Sequence, residues 1–291
     1  MSSNSVKEPG SVWQDFAKTQ SIVERAVRHP YTTFLNVVEG RLVNVILRQL
    51  SGDSYILDVG CGTGRWTVNI AKHGVNVVGV DVAPDFIKMA KVWAVKKGIR
   101  GYTDFVVADV KSLPFNCDSL HGALCIGVLQ HLQSVITIAH ALQEMKRVLR
   151  NRALIVMREL APKQKNEYII SPWSPPALAF SVGEWKKMFS NVNFRVNEVR
   201  GFEVAPLMLM FARISRVLSA SLLSNYKLNP SHKTFPIFKI LYMLFRNMAA
   251  IISLPFELLL QCRLVGISEF KLFLLEVTKD DHTITNKGRD E

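Results

Sequence analysis

The chain has 291 residues, 48% of them hydrophobic, which is enough to bury one sizeable core with a small appended element, so one elaborated domain is expected. Its four cysteines, Cys61, Cys117, Cys125 and Cys262, form no C-x-x-C pair and no secretory signal is read ahead of them. That pattern argues against a disulfide framework and a zinc site, and for a reducing, cytoplasmic setting. The net charge is +12, and its placement says more than its size.

Residues 1–10, rich in Ser, Asn, Pro and Gly, read as a disordered leader. From Val12 to Leu50 apolar residues recur at helical steps: Trp13, Phe16, Val23, Val27, then Phe34, Val37, Val38, Leu42, Val45 and Ile46. Residues 1–50 are therefore expected to form a helical N-terminal segment. Trp13 and Phe16 either pack that helix onto the core or close over a ligand.

The run Tyr55–Val59 reads as a buried strand, followed by three alternate glycines, Gly60, Gly62 and Gly64, and by a helix from Arg65. Without a Cβ the backbone can bend sharply there and a ligand can approach bare main chain and the helix N-terminus. A dinucleotide fingerprint needs a third glycine where Arg65 stands, which weakens that reading. Asp58, Gly60, Gly62 and Gly64 instead match, position by position, the D-x-G-x-G-x-G motif of class I S-adenosylmethionine-dependent methyltransferases, which this segment resembles. The resemblance implies that Asp58, Gly60, Cys61, Gly62 and Gly64 support the methionine part of that cofactor.

A second strand, Val75–Asp81, ends in an acid seventeen positions beyond Gly64, near the interval of about twenty expected for a ribose-binding carboxylate. Asp81 is assigned to the ribose, with Val82 beside it; a cap on the following helix, Asp85 to Lys97, is the alternative. The third strand, Thr103–Val110, runs into Asp109, which the resemblance places on the adenine amino group with Val110 against the purine face. The alternative is an ordinary turn Asp.

A fourth strand, Gly122–Leu129, delivers Gln130-His131-Leu132 to the same edge of the sheet. Ligand crevices of open α/β sheets lie outside the carboxyl ends of the strands, so four strand ends converge on one place. Val128–Leu132 resembles the V-L-x-H-x stretch of the small-molecule subgroup, and Ile126 and Gln130 join the cofactor set. His131 is either the group that takes a proton from a hydroxyl acceptor or a structural residue under the cofactor. The other histidines lack metal-ligand spacing, and no metal is expected.

A helix over Ile138–Arg150 and a fifth strand, Ala153–Leu160, complete five alternating units and imply a parallel sheet wrapped on both faces. The Pro- and Trp-bearing loop Ala161–Phe180 would border the acceptor pocket, Ser181 and Glu184 form a capping box, and Phe194–Arg200 reads as a sixth strand. The seventh strand is Phe270–Val277, so the resemblance to the family fold makes residues 204–268 an insertion.

That insertion is apolar and one-sidedly charged. Between Glu203 and Glu257 there is no acidic residue, while Arg213, Arg216, Lys227, Lys233, Lys239 and Arg246 fall there. Phe211, Ile214, Leu218 and Leu222 share one helical face, and Ile237, Leu241, Leu244 and Met248 oppose Lys239 and Arg246. Arg216, Lys239, Arg246 and Glu257 break any spanning run, which leaves helices lying in a membrane interface, a cap over a hydrophobic pocket, or burial on the core or in a dimer.

The expected architecture is a doubly wound, Rossmann-like α/β fold of seven strands with a helical insertion between the last two. Residues 51–203 form the S-adenosylmethionine-binding core, 204–268 the insertion and 269–291 the final strand and a polar tail. The expected activity is methyl transfer from S-adenosylmethionine to a small, lipophilic acceptor such as a quinone or lipid, at the inner face of a membrane. An RNA or protein methyltransferase, and a cofactor-binding scaffold without turnover, are the alternatives.

Overall fold

The computed structural model of the chain describes residues 11–15, 17–18, 30–132, 134–162, 168–171, 174–202, 235–260, 268 and 270–279. Helix α1 (Pro30–Leu47) precedes β1 (Tyr55–Val59), α2 (Arg65–Ala71), β2 (Asn76–Asp81), α3 (Pro84–Lys96), β3 (Thr103–Val107) and β4 (Leu120–Ile126). Then follow α4 (Val135–Val148), β5 (Leu149–Leu160), a hairpin of β6 (Tyr168–Ser171) and β7 (Ser174–Leu178), α5 (Val182–Asn191), β8 (Phe194–Phe202), α6 (Phe235–Leu260) and β9 (Phe270–Val277).

Seven strands form one sheet in the order β3-β2-β1-β4-β5-β9-β8. The first five pair in parallel, and β9 slots antiparallel between β5 and β8, with Leu154 opposite Glu276 and Leu160 opposite Phe270. Parallel neighbours need crossover connections, and α2, α3 and α4 supply them. Strand order reverses between β1 and β4, which puts the switch point of the sheet at the carboxyl end of β1.

Alternate strand residues feed opposite faces. Leu57, Cys125, Met157 and Phe273 pack with α4 and α5 on one side, where Trp185 is fully buried and donates its indole N–H to the Leu160 carbonyl at 3.0 Å. Ile56, Leu124, Val156 and Leu272 pack with α1, α2 and the Ala249–Ala250 pair of α6 on the other. Of residues 204–268 the structure describes 235–260, which form α6 docked along α1, and 268; Phe211, Ile214, Leu218 and Leu222 lie outside the described residues.

Several boundaries differ from the sequence reading. Helix α4 starts three residues earlier, because Ser134 caps it by accepting the Thr137 N–H at 3.2 Å, and it stops at Val148, where the chain passes directly into a strand whose Leu149 pairs with Leu120. Strand β4 begins at Leu120 and ends at Ile126, since Gly127 turns with φ of +70°. Strand β3 stops at Val107, leaving Asp109 and Val110 in the connection that follows. The stretch read as a loop from Ala161 to Phe180 contains the β6–β7 hairpin. The Ser181–Glu184 capping box forms as expected.

One buried charge ties α1 to the rest. Glu39 has no exposed surface; it accepts from Arg65 Nη2 at 2.6 Å and from Trp66 Nε1 at 2.7 Å, and pairs with Arg158 Nη1 at 3.1 Å. The two guanidiniums and the two donated hydrogen bonds hold its carboxyl below the usual range although burial pushes the other way. Removing one partner of a buried ion pair leaves the others uncompensated. Glu39→Ala should therefore cost roughly 3 kcal/mol, read as a lowered denaturant midpoint, with Glu39→Gln losing less.

Candidate functional site

The tips of the central strands are fastened side by side. Cys61 N–H donates to Val80 O at 2.9 Å, Gly62 N–H to Asp81 Oδ2 at 2.9 Å, Ala83 N–H to Asp81 Oδ1 at 2.9 Å, and Ala108 N–H to Asp81 O at 3.1 Å. Helix α3 is entered from Ala83 with Pro84 in its first turn, so Asp81 stands two residues short of the cap and turns toward the glycine loop. Burial raises its carboxyl above the ordinary aspartate value, opposed by the N–H groups of Ala83, Gly62 and Val82.

The loop needs bare backbone for two separate reasons. At Gly60, φ is +60° and a Cβ would lie 2.4 Å from Val128 Cγ2, so only glycine lets the tips of β1 and β4 close together. At Gly62, φ is +53° and a Cβ would meet no atom within 4 Å. Main chain there faces open space beside Asp81. This is a cradle for a ligand with hydroxyls: a carboxylate offers about four acceptor sites, and three backbone N–H groups do not use them up.

Asp58 works behind this surface. It is 3% exposed, and its Oδ2 accepts from Thr67 N at 2.9 Å and Thr67 Oγ1 at 2.6 Å, clamping the start of α2. Burial pushes it up to about 6 against those donations. Cys61 is buried in the same loop and its thiol is pushed well above the usual range by burial.

Three residues expected in the cofactor set lie largely against the core. Val110 is 8% exposed and packs in the core with Leu113 and Leu129, so it offers little surface to a purine. Gln130 is 7% exposed and turns inward, its Oε1 accepting from Leu160 N at 2.9 Å and its Nε2 lying 3.1 Å from His131 Nε2. It ties β4 to β5 instead of facing a ligand. Ile126 is half-buried in the α1-side core. Asp109 sits at the tip of β3 as expected, but its Oδ1 accepts from Lys111 N at 2.9 Å and its Oδ2 pairs with Lys111 Nζ at 3.2 Å, the turn-Asp alternative. Val82 is half-buried between Asp81 and Ala83.

His131 follows β4 in a short 3-10 turn, its ring edge-on to Trp13 with centroids 4.9 Å apart. Trp13 also packs on the cluster of Ala17, Ala83 and Phe86, and Gln14 Nε2 donates to Asp85 Oδ2. Ala83 lies beyond β2 and His131 beyond β4, the two neighbours of β1, so this helical piece of the N-terminal segment crosses over the tip of β1. Phe16 lies outside the described residues.

Sequence reasoning missed Glu159. Fully buried on β5, it accepts from the consecutive N–H groups of Val128 (3.2 Å), Leu129 (3.0 Å) and Gln130 (2.9 Å), fixing the turn that carries His131. Burial raises it to about 7 against those donations. The signal was an acid two residues beyond the apolar stretch Ala153–Met157 of a central strand, where a buried acid is rare unless it is paired.

Residues 56–152 match the family model described as a methyltransferase domain. An O-methyltransferase of Aspergillus sclerotiorum is 33% identical over 129 residues, 43% of this chain and 48% of that protein. A tRNA (carboxymethyluridine(34)-5-O)-methyltransferase of Arabidopsis thaliana is 28% identical over 147 residues, 49% of this chain and 33% of that one. These matches thus span about half or less of the relatives' own length. Among solved structures, a geranyl diphosphate C-methyltransferase from Streptomyces coelicolor A3(2) shares the fold with a TM-score of 0.54 at 16% identity, covering 82% of this chain and 74% of that one. The matched segment runs from β1 into β5 and holds the glycine loop, so the match is to a methyltransferase domain over that part of the chain.

The Glu159 carboxyl gives a pH test. Its folded value lies above the ordinary 4.5, so its contribution to stability is full below that value and is lost as pH rises through about 7. Between pH 5 and 8 the wild type should lose on the order of 2–3 kcal/mol relative to Glu159→Gln, read from paired denaturation curves.

Proposed function

We propose that the chain binds S-adenosylmethionine across the tips of β1, β2 and β3 and transfers its methyl group to a small, lipophilic acceptor reached from a membrane surface. The observation that carries the binding half is the open space at Gly62 beside the Asp81 carboxylate. The bound cofactor supplies a methyl on a sulfonium, which a nucleophile displaces in line. The chain's own task is then positioning: aligned reactants contribute on the order of 7–11 kcal/mol without covalent help.

In this reading residues 51–203 are the cofactor-binding core, with Gly60–Gly64 backbone under the methionine part and Asp81 on the ribose hydroxyls. Glu159 and Gln130 act through the turn they hold. His131, over which Trp13 lies, accepts the proton released by a hydroxyl acceptor. Residues 204–268 face the acceptor's source, since they combine a run of apolar residues with basic charge and no acid up to Glu257. The O-methyltransferase relatives support a small-molecule acceptor.

A nucleic-acid acceptor is the second reading, favoured by the tRNA-modifying relative and the charge of +12. Mass spectrometry of lipid and RNA extracts from cells with and without the gene separates the two. A lipid pair differing by one methylene unit supports the first reading, and a methylated nucleoside with an unchanged lipid profile overturns it.

Two substitutions test the cofactor site by calorimetry with S-adenosylmethionine. Asp81→Ala should weaken binding by roughly 10- to 100-fold, the worth of hydrogen bonds to a charged group. Gly62→Ala should cost the fold only about 1–2 kcal/mol for its left-handed backbone while blocking the cradle. Unchanged dissociation constants in both would refute the assignment.

A further inference from the structure

Helix α6 carries large apolar residues on its outer side. Asn247, Ala249, Ala250, Ser253 and Glu257 are buried, none more than 5% exposed, and Ala249 and Ala250 pack with Leu254 and Leu258 on the cluster of α1 and the sheet. Outward it turns Leu244, Met248, Ile251, Ile252, Phe256 and Leu259, between 47% and 73% exposed. Its neighbour Phe245 joins them, so seven of the fifteen large hydrophobics exposed among the described residues lie on this one helix. Scattered apolar residues are normal on a surface, but a contiguous stripe that displaces polar residues into the interior marks a contact with something non-aqueous.

The orientation is fixed by what lies beneath. The small Ala249 and Ala250 let α6 approach the core closely, and Arg41 of α1 donates to the Leu258 carbonyl at 2.7 Å near the end of α6. Exposed positions recur at three- and four-residue steps, so they share one side of the helix over about 22 Å from Leu244 to Leu259. None of the described helices is long and apolar enough to cross a membrane. A stripe of this kind lies on a surface.

Charge selects the surface. The segment from Val204 through Phe256, which leads into and includes most of α6, holds six Lys or Arg and no Asp or Glu. A hydrophobic stripe in a one-sidedly cationic segment complements acyl chains beneath anionic headgroups.

We propose that the outward face of α6 is a docking surface for an anionic lipid bilayer, in whose interface the helix lies flat. The proposal deepens the membrane-reached acceptor reading and rests on it for its purpose: docking there would bring the methyltransferase core to a lipid-dissolved acceptor.

Flotation of the full chain with vesicles tests it, using phosphatidylcholine alone and phosphatidylcholine mixed with phosphatidylglycerol. Wild type should float with the anionic vesicles roughly tenfold better than with the neutral ones. Ile252→Glu combined with Phe256→Glu, or Leu259→Asp alone, should lose at least about tenfold of that binding, while the calorimetric affinity for S-adenosylmethionine stays unchanged. Failure of the wild type to float, or equal flotation of wild type and both variants, overturns the proposal. So does sedimentation of the lipid-free wild type as a dimer that these substitutions split, since a second copy would then occupy the stripe. Flotation needs no acceptor, so a protein that floats yet methylates only RNA would overturn the acceptor reading and leave the docking surface standing.

Discussion

The hydrogen bond from Gly62 N–H to Asp81 Oδ2 joins the glycine loop to the tip of the neighbouring strand, and the site depends on it. It points a half-buried carboxylate at Gly62, where a Cβ would meet no atom within 4 Å. Everything beneath serves to hold those two groups at that distance. Asp58 clamps Thr67 so that α2 starts where the loop ends, and Cys61 N–H fastens the loop to Val80. Gly60 lets Val128 come close enough for the β4 tip to form the next wall.

The β4 wall has its own brace. A carboxylate buried without donors would be neutral or unstable, and Glu159 meets three successive backbone N–H groups instead. The same turn is held from the other side by Gln130, whose amide oxygen takes the Leu160 N–H. His131 is therefore presented by a turn of fixed shape, under Trp13. Two acids, Glu159 and Glu39, thus do their work from beneath the surface. Glu39 links Arg65 beside the glycine loop to Arg158 on β5, on the helix against which α6 packs.

Much of this was legible because glycine spacing and strand-terminal acids are local signals. Asp58, Gly60, Gly62 and Asp81 all fall where their spacing puts them, and the sheet order follows from alternation of strands with crossover helices and a late antiparallel strand. What escaped was set by tertiary contacts. Gln130 is polar and near the crevice in sequence, but its amide oxygen takes the Leu160 N–H and the side chain turns inward. Val110 follows the adenine-side Asp, yet its packing on Leu113 and Leu129 takes it into the core. The apolar face of α6 was readable from Leu244 and Met248, but that it turns outward depends on Ala249 and Ala250 fitting against the core, which periodicity alone cannot reveal.

The most direct measurement is a crystal structure of the chain grown with S-adenosylhomocysteine. Ribose hydroxyls should lie on the Asp81 carboxylate and the amino-acid part over the backbone of residues 60–64. A nucleoside bound elsewhere, or a crevice filled by the chain's own side chains in the presence of saturating ligand, would contradict it.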